Sequence, residues 1–197
     1  LEKLYMEAIL HPDIRILSIA TRPDCLSTEI LDLLERLNQI KPVWVELGLQ
    51  TIHERTARYI RRGYDLPVFE TAASELRRRG IDVIVHTILC LPGETKSDML
   101  QTIQYLNRQD IQGIKLQLLH ILKDTDLAEI YASDPFPVPD PQEYYELLGA
   151  CINHLRPDIV IHRLTGDGPK ELLTAPLWTC NKRQVLNQLQ SYFKTHD

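Results

Sequence analysis

Residues 87–98 read TILCLPGETKSD, and this stretch decides the fold class. An apolar run stops at a Pro-Gly pair at positions 92–93, which is typical of a tight turn. Thr95 followed by Asp98 then predicts a capping box, the signature of a helix N-terminus. Strand, turn and helix in this order form the junction of a βα unit, and the flanking sequence repeats that unit.

Apolar strand-like runs alternate with helix-like segments on both sides of this junction. Strands are predicted over residues 13–21, 42–51, 81–91, 113–122 and 158–165. Helices are predicted over residues 27–40, 52–64, 66–80, 96–109, 125–133, 143–155 and 181–197, with Ser27 and Asp140 as N-caps. The strands read as near-continuous apolar runs, as strands buried on both faces do. This order predicts an α/β fold with a parallel sheet covered by helices.

Composition narrows the class of protein. The chain has 197 residues, 44% of them hydrophobic, which fits one domain with a sizeable core. Its net charge is -5, so no global basic excess indicates nucleic-acid binding, although local patches stay open. No apolar run approaches the roughly 18 residues that a membrane span needs, so no membrane partner is expected. The chain starts without Met or a secretory signal, which predicts a fragment of a cytoplasmic protein.

The four cysteines are far apart in sequence. Cys25, Cys90, Cys151 and Cys180 form no CxxC, zinc or iron-sulfur spacing. Free cytosolic thiols are therefore expected, with no metal ligand in this chain.

Polar residues stand where four predicted strands end. Arg22, Gln50, His86 and His120 occupy these positions, and ligands gather at the carboxyl ends of strands in parallel sheets. Side chains alternate along a strand, so each of these residues is predicted to share one strand face with the residues two and four positions away. These groups are Ser18 and Ala20 with Arg22, Glu46 with Gln50, Ile84 and Ile88 with His86, and Leu116 and Leu118 with His120. If those faces point into a barrel, the polar groups converge at one mouth.

Structural roles for the same residues stay open. A single His in a strand is more often a satisfied core histidine than a catalyst. Gln50 can merely cap a strand end, and Arg22 can pair with Glu46 or Asp24. Arg61 and Arg62 beside Gly63 can grip an anion, whereas residues 77–80, RRRG, are interpreted as a solvated basic face at a helix C-terminus.

Five segments in this order resemble the radical-SAM enzymes of the elongator-like and coproporphyrinogen-oxidase-like branch, and especially its YhcC-type members. They are SIATRPDCLSTEILDLL, VWVELGLQT, RRGYD, VHTILCLPGET and GIKLQLLHILKDTDLAEIY. The resemblance implies a partial (βα) barrel of parallel strands with outer helices. It also implies a [4Fe-4S] cluster on a CxxxCxxC loop, which reductively cleaves S-adenosylmethionine to a 5′-deoxyadenosyl radical. The chain contains no CxxxCxxC, so we expect a C-terminal portion without the first two βα units, binding neither cofactor by itself.

The resemblance also carries over site residues by position. Thr21 and Arg22 match a strand that contacts ribose or methionine groups, and Gln50 and Arg62 match residues at the methionine end of the cofactor. His86 replaces an acidic residue that contacts the ribose in some relatives. Leu118 and His120, with the LPGET turn, match the adenine region, and Cys90 stands where a Gly is common. No catalytic residue is assigned. Residues 1–133 are expected to form part of the barrel, and residues 134–197 a Pro-rich connection, a closing strand and C-terminal helices.

Partners and rival functions follow from the same residues. A radical-SAM enzyme implies an electron donor such as flavodoxin or ferredoxin. Its substrate is unknown, with tRNA and a small molecule among the candidates. A non-catalytic module would instead bind RNA or a partner through Arg61, Arg62 and residues 77–79. An ordinary hydrolase or isomerase would need His86 or His120 beside Glu46, and no motif supports it.

Overall fold

The computed structural model describes residues 1–166 and 168–195. The strands are β1 (Leu17–Thr21), β2 (Val43–Gln50), β3 (Asp82–Leu89), β4 (Gly113–Leu118), β5 (Ile121–Leu122), β6 (Val160–Arg163) and β7 (Leu173–Ala175). The helices are α1 (Glu2–Leu10), α2 (Thr28–Asn38), α3 (Glu54–Tyr59), α4 (Leu66–Arg78), α5 (Lys96–Leu106), α6 (Asp126–Ser133), α7 (Pro141–His154) and α8 (Lys182–Thr195). None of the helices in the described part of the chain has both the length and the apolar content that crossing a bilayer requires.

Five strands form one parallel sheet in the order β1-β2-β3-β4-β6. The predicted parallel α/β fold is therefore confirmed. The fourth predicted strand, 113–122, is wrong as a single element. The chain leaves the sheet after Leu118, and Ile121 pairs antiparallel with Ala175 in a two-stranded ribbon of β5 and β7.

The helix caps follow the predicted chemistry. The capping box of Thr95 and Asp98 begins α5, and that of Asp140 and Glu143 begins α7. The helix predicted over 52–64 is shorter, ending at Tyr59, because the left-handed backbone that follows cannot continue a helix. Gly63, for example, has a φ of 87°.

One face of the sheet packs against helices and forms the core. Val45, Leu47, Val83, Val85 and Leu116 on this face are fully buried. The opposite face carries a set of polar side chains, which we call the polar face and define by five residues: Ser18, Glu46, His86, Lys115 and Gln117. Residues paired across adjacent strands point to the same side of the sheet, whereas successive residues along one strand alternate. The register therefore decides which residues belong to which face.

The register corrects the predicted face of β4. His86 pairs with Lys115 and Ile88 with Gln117, so these two polar residues share the face of His86. Leu116 and Leu118 lie on the helix-packed face, and Leu118 is 3% exposed within the hydrophobic core. The faces of His86 and of Leu118 therefore point to opposite sides of the sheet, so they cannot both point into a barrel.

Candidate functional site

Four neighbouring strands bring the polar face together around one carboxylate. Ser18 Oγ on β1 donates to Glu46 Oε1 on β2 over 2.9 Å. Lys115 Nζ on β4 donates to Glu46 Oε2 over 2.5 Å, and His86 Nε2 on β3 lies 2.9 Å from the same oxygen. Gln117 Nε2 lies 3.2 Å from His86 Nδ1. The arrangement is a continuous hydrogen-bonded chain across the sheet.

The electrostatic surroundings of Glu46 and His86 favour one protonation state of this hydrogen-bonded network. Burial raises the pKa of Glu46, but hydrogen bonds from Lys115, Ser18 and His86 outweigh it and bring the pKa to about 2. Burial lowers the pKa of His86, and the Lys115 charge adds to that effect while Glu46 opposes it. Glu46 is therefore a carboxylate beside a lysine ammonium and a neutral imidazole.

Donor chemistry then fixes the His86 tautomer. A carboxylate only accepts and an amide nitrogen only donates, so Nε2–H donates to Glu46 and Nδ1 accepts from Gln117. Both ring nitrogens are engaged inside the protein. The predicted contact between His86 and a ribose would require one of these bonds to break. His86 does lie beside Glu46, as a hydrolase or isomerase would need, but Lys115 occupies the same carboxylate oxygen.

Gln50 closes β2 in an unusual conformation. Its φ is 67°, in the left-handed region, and the ladder register shifts between Gly48 and Gln50. A Cβ at Gly48 would lie 2.8 Å from the Gln50 Nε2, so the amide folds back over that glycine. The Gln50 side chain makes no hydrogen bond within residues 1–166 and 168–195. Strained residues with open polar groups are concentrated at ligand sites.

Tyr64 stands beside Gln50 and carries two arginines on its ring. Its hydroxyl donates to the Gly48 carbonyl over 2.8 Å. The guanidinium carbons of Arg22 and Arg62 lie 5.5 and 5.0 Å from the ring centroid. Arg22 also pairs with Asp24 through bonds of 2.9 and 2.6 Å, which is one of its two expected structural roles.

Thr21 ends β1 next to Arg22, with its hydroxyl 3.4 Å from the Arg22 carbonyl oxygen. The Arg22 side chain remains 55% exposed. Three of the residues predicted to contact the cofactor therefore lie at the carboxyl ends of β1 and β2 with polar groups that can form further hydrogen bonds. They are Thr21, Arg22 and Gln50.

Arg62 is buried, and its guanidinium forms its hydrogen bonds within the protein. Its side chain is 1% exposed. It donates from Nη1 to the carbonyls of Leu49 and Thr51, from Nε to the carbonyl of Tyr64, and from Nη2 to Glu54 Oε1. An arginine has five N–H groups, so this set leaves one for any other partner. The guanidinium fastens the loop between α3 and α4 to the end of β2.

His120 lies apart from the polar face, after β4 has ended. A Cβ at Gly166 would lie 2.8 Å from His120 Cε1, and one at Gly168 would lie 3.0 Å from Nδ1. The ring therefore packs closely against Gly166 and Gly168, where a Cβ would crowd it. The structure does not bring His120 to Glu46.

The arginines predicted for RNA binding are all engaged with carboxylates. The pairs are Arg61 with Asp126, Arg62 with Glu54, Arg77 with Asp82 and Asp110, Arg78 with Glu75, and Arg79 with Asp32, Glu35 and Glu75. The RRRG segment is thus an ion-pair network and not a simple solvated basic face. RNA binding by these residues stays a prediction.

Cys90 follows β3 with a φ of 63°. This left-handed backbone explains physically why a glycine suits the position. Its N–H donates to Met99 Sδ over 3.1 Å, and burial raises the pKa of the thiol to about 12. Cys90 is therefore a protonated, structural thiol.

We predict opposite glycine preferences at two cysteines. At Cys90, the Gly variant should be about 0.5–1 kcal/mol more stable than the Ala variant, because glycine relieves left-handed strain. At Cys151, inside α7, the Gly variant should be about 1 kcal/mol less stable than the Ala variant. Urea unfolding of the four variants measures both differences. A Cys90 glycine variant no more stable than its alanine counterpart would contradict the strain argument.

Two family models match the sequence of this chain. Residues 1–106 match the Radical SAM superfamily, and residues 111–195 match the Radical_SAM C-terminal domain. The chain is 39% identical over 189 residues to YtqA of Bacillus subtilis, covering 96% of the chain and 59% of YtqA. It is 34% identical over 197 residues to YhcC of Escherichia coli, covering 100% of the chain and 64% of YhcC. The chain thus spans about 60% of the length of these curated relatives.

A solved structure supports the fold. The Elp3 protein of Methanocaldococcus infernus superposes with a TM-score of 0.75 at 19% sequence identity, over 89% of this chain and 42% of Elp3. The likeness shows a shared α/β architecture.

Proposed function

This chain belongs to the radical SAM superfamily, in its elongator-like, YhcC-type branch, and on that premise we propose that it carries part of an S-adenosylmethionine site. The cofactors of this superfamily supply a 5′-deoxyadenosyl radical that abstracts hydrogen from a substrate. The role of this chain is to bind and orient the nucleoside-sulfonium at the carboxyl ends of β1 and β2. The substrate class, tRNA or a small molecule, and a flavodoxin or ferredoxin donor belong to the proposal.

The observation that carries the proposal is the open amide of Gln50. Its left-handed backbone costs free energy, which a ligand contact would explain. An amide both donates and accepts, so it suits the amino-carboxylate end of S-adenosylmethionine. Arg22 is stacked on Tyr64 and paired with Asp24, and its guanidinium remains 55% exposed near the same strand ends.

The cluster does not fit the residues of this chain. Within residues 1–166 and 168–195, no group of three or more His, Cys, Asp or Glu is arranged to hold a metal ion. The four cysteines are also too far apart in sequence for a CxxxCxxC loop. We propose that the thiolate ligands, and the first two βα units, belong to the protein outside these 197 residues, and that this chain alone is inactive.

We predict that Gln50→Ala weakens S-adenosylmethionine binding in the longer native protein with its cluster reconstituted. Losing a hydrogen bond to a charged group should raise Kd by about tenfold. Equilibrium binding measures Kd, and the iron-sulfur absorbance should stay unchanged. Gln104→Ala, an exposed glutamine on α5, is the matched control and should leave Kd unaltered.

Two results would overturn the proposal. One is the absence of iron-sulfur absorbance after anaerobic reconstitution of the longer protein. The other is a Kd for the Gln50 variant equal to that of the Gln104 control. The 197-residue chain itself should bind no iron under the same conditions.

A further inference from the structure

A cavity of about 510 Å³ lies between α5 and α7, outside the strand-end site. The LPGET turn forms one end of it, and the Pro-rich segment around residues 136–139 forms a wall. None of the seven residues predicted to contact the cofactor lines it. Its volume is within the range of about 300–1,000 Å³ that is typical of small-molecule sites. It is therefore a second candidate site, and it adjoins the region that the resemblance assigns to adenine only through the LPGET turn.

The floor of this cavity is apolar. Leu91, Met99 and Leu147 line it and are 2, 6 and 6% exposed. Phe136 forms a wall, with its ring centroid 5.0 Å from that of Tyr131. Such a surface favours an apolar or aromatic group, because filling the cavity removes that surface from water.

The rim of the cavity carries opposite charges on its two helices. Lys96, the first residue of α5, makes no hydrogen bond or ion pair within residues 1–166 and 168–195. It lines the cavity from the N-terminal end of α5. Glu143 and Glu146 line the cavity from α7. Glu94 also lines it, from the LPGET turn, and its carboxylate accepts from Thr51 Oγ1 over 2.6 Å.

The two glutamates are held in place by their own helix. Glu143 Oε2 accepts from the Asp140 N–H over 2.9 Å in the capping box. Glu146 Oε1 accepts from Gln142 Nε2 over 2.9 Å. Each carboxylate has a second oxygen with capacity for another donor, because an ionised carboxylate accepts about four hydrogen bonds.

We propose that this cavity binds a free α-amino acid with a large apolar side chain. The carboxylate pairs with Lys96 at the positive end of α5, and the ammonium pairs with Glu143 and Glu146. The side chain lies on the floor formed by Leu91, Met99 and Leu147. A monovalent acid would leave the glutamates unused and repelled, and a simple amine would leave Lys96 unused. The zwitterion is the ligand whose charges match both helices.

The test is a titration of the longer native protein, labelled at its Leu and Met methyl groups, with L-phenylalanine and with L-methionine. We expect saturable NMR shifts of Leu91, Met99 and Leu147. Two blocked probes separate the charges, since N-acetyl-L-phenylalanine lacks the ammonium and L-phenylalanine amide lacks the carboxylate. Each should bind at least about tenfold more weakly, as expected for the loss of one charged hydrogen-bonded contact. Blocked probes that bind as well as the free amino acid would overturn the proposal.

Variants give a second measurement. Lys96→Met should weaken L-phenylalanine binding by about tenfold, whereas Lys194→Met on α8 should leave it unchanged. Lys96 takes no part in the capping box of α5, so an unaltered thermal midpoint is expected as the folding check. Equal binding by the two lysine variants, or no methyl shifts up to the solubility of the amino acids, would overturn the proposal. The assay needs neither iron nor S-adenosylmethionine, so its result is independent of the function proposed above.

Discussion

Replacing Arg62 with methionine is expected to lower the free energy of unfolding by about 4 kcal/mol. The guanidinium satisfies the carbonyls of Leu49, Thr51 and Tyr64, and it pairs with Glu54. Methionine keeps much of the length but removes every donor. Buried carbonyls are then left without partners, each at a cost of about 1–3 kcal/mol before relaxation. Urea unfolding monitored by circular dichroism measures the change.

Arg61→Met is the matched control for Arg62. Arg61 is the adjacent residue, and its side chain is 75% exposed while it pairs with Asp126. An exposed pair contributes about 0–1 kcal/mol, so this variant should be close to the unaltered protein. Arg62→Lys should be intermediate, because an ammonium cannot reproduce the planar fork. If the Arg62 and Arg61 variants lose equal stability, Arg62 is not the structural fastener described above and its donors are open to a ligand.

The parallel fold was predictable because its signals are local. Near-continuous apolar strands, the Pro-Gly turn at residues 92–93 and the two capping boxes each depend on residues within a few positions of one another. Which side chains of β4 lie on the polar face was not predicted. Alternation was counted from His120, which lies beyond the end of the strand, and a period of two holds only within one strand. The I-K-L-Q-L pattern of β4 itself would have identified Lys115 and Gln117.

The roles of the arginines could not be predicted, because their partners are distant in sequence. Arg61 meets a carboxylate 65 residues away, and Arg79 meets Asp32 at a separation of 47 residues. Tertiary packing decides such pairs, and no local pattern encodes them. The candidate site shows the same limit. Glu46 and His86 were identified separately, but only the register of three strands places them with Lys115 on one side of the sheet.

Lys115→Met should destabilise the chain by about 3 kcal/mol, because it leaves Glu46 as a largely buried carboxylate without its cation. The Lys115 and Glu46 side chains are only 12 and 17% exposed. Glu46→Gln combined with Lys115→Met should recover part of that loss, since the double variant carries neither charge. A double-mutant cycle in urea measures the coupling. Lys170→Met, an exposed lysine, is the control and should change stability by less than about 0.5 kcal/mol.

The same carboxylate should give stability a defined pH dependence. Folding lowers the pKa of Glu46 from an ordinary value of 4.5 to about 2, so the folded state binds the proton less readily than the unfolded state. The stabilisation is therefore complete above about pH 4.5 and is lost as pH falls toward 2. The difference in unfolding free energy between the unaltered chain and Glu46→Gln should shrink over that interval. A difference that stays constant from pH 6 to pH 2 would mean that Glu46 titrates normally, and that its bonds to Lys115, Ser18 and His86 contribute nothing specific to the ionised form.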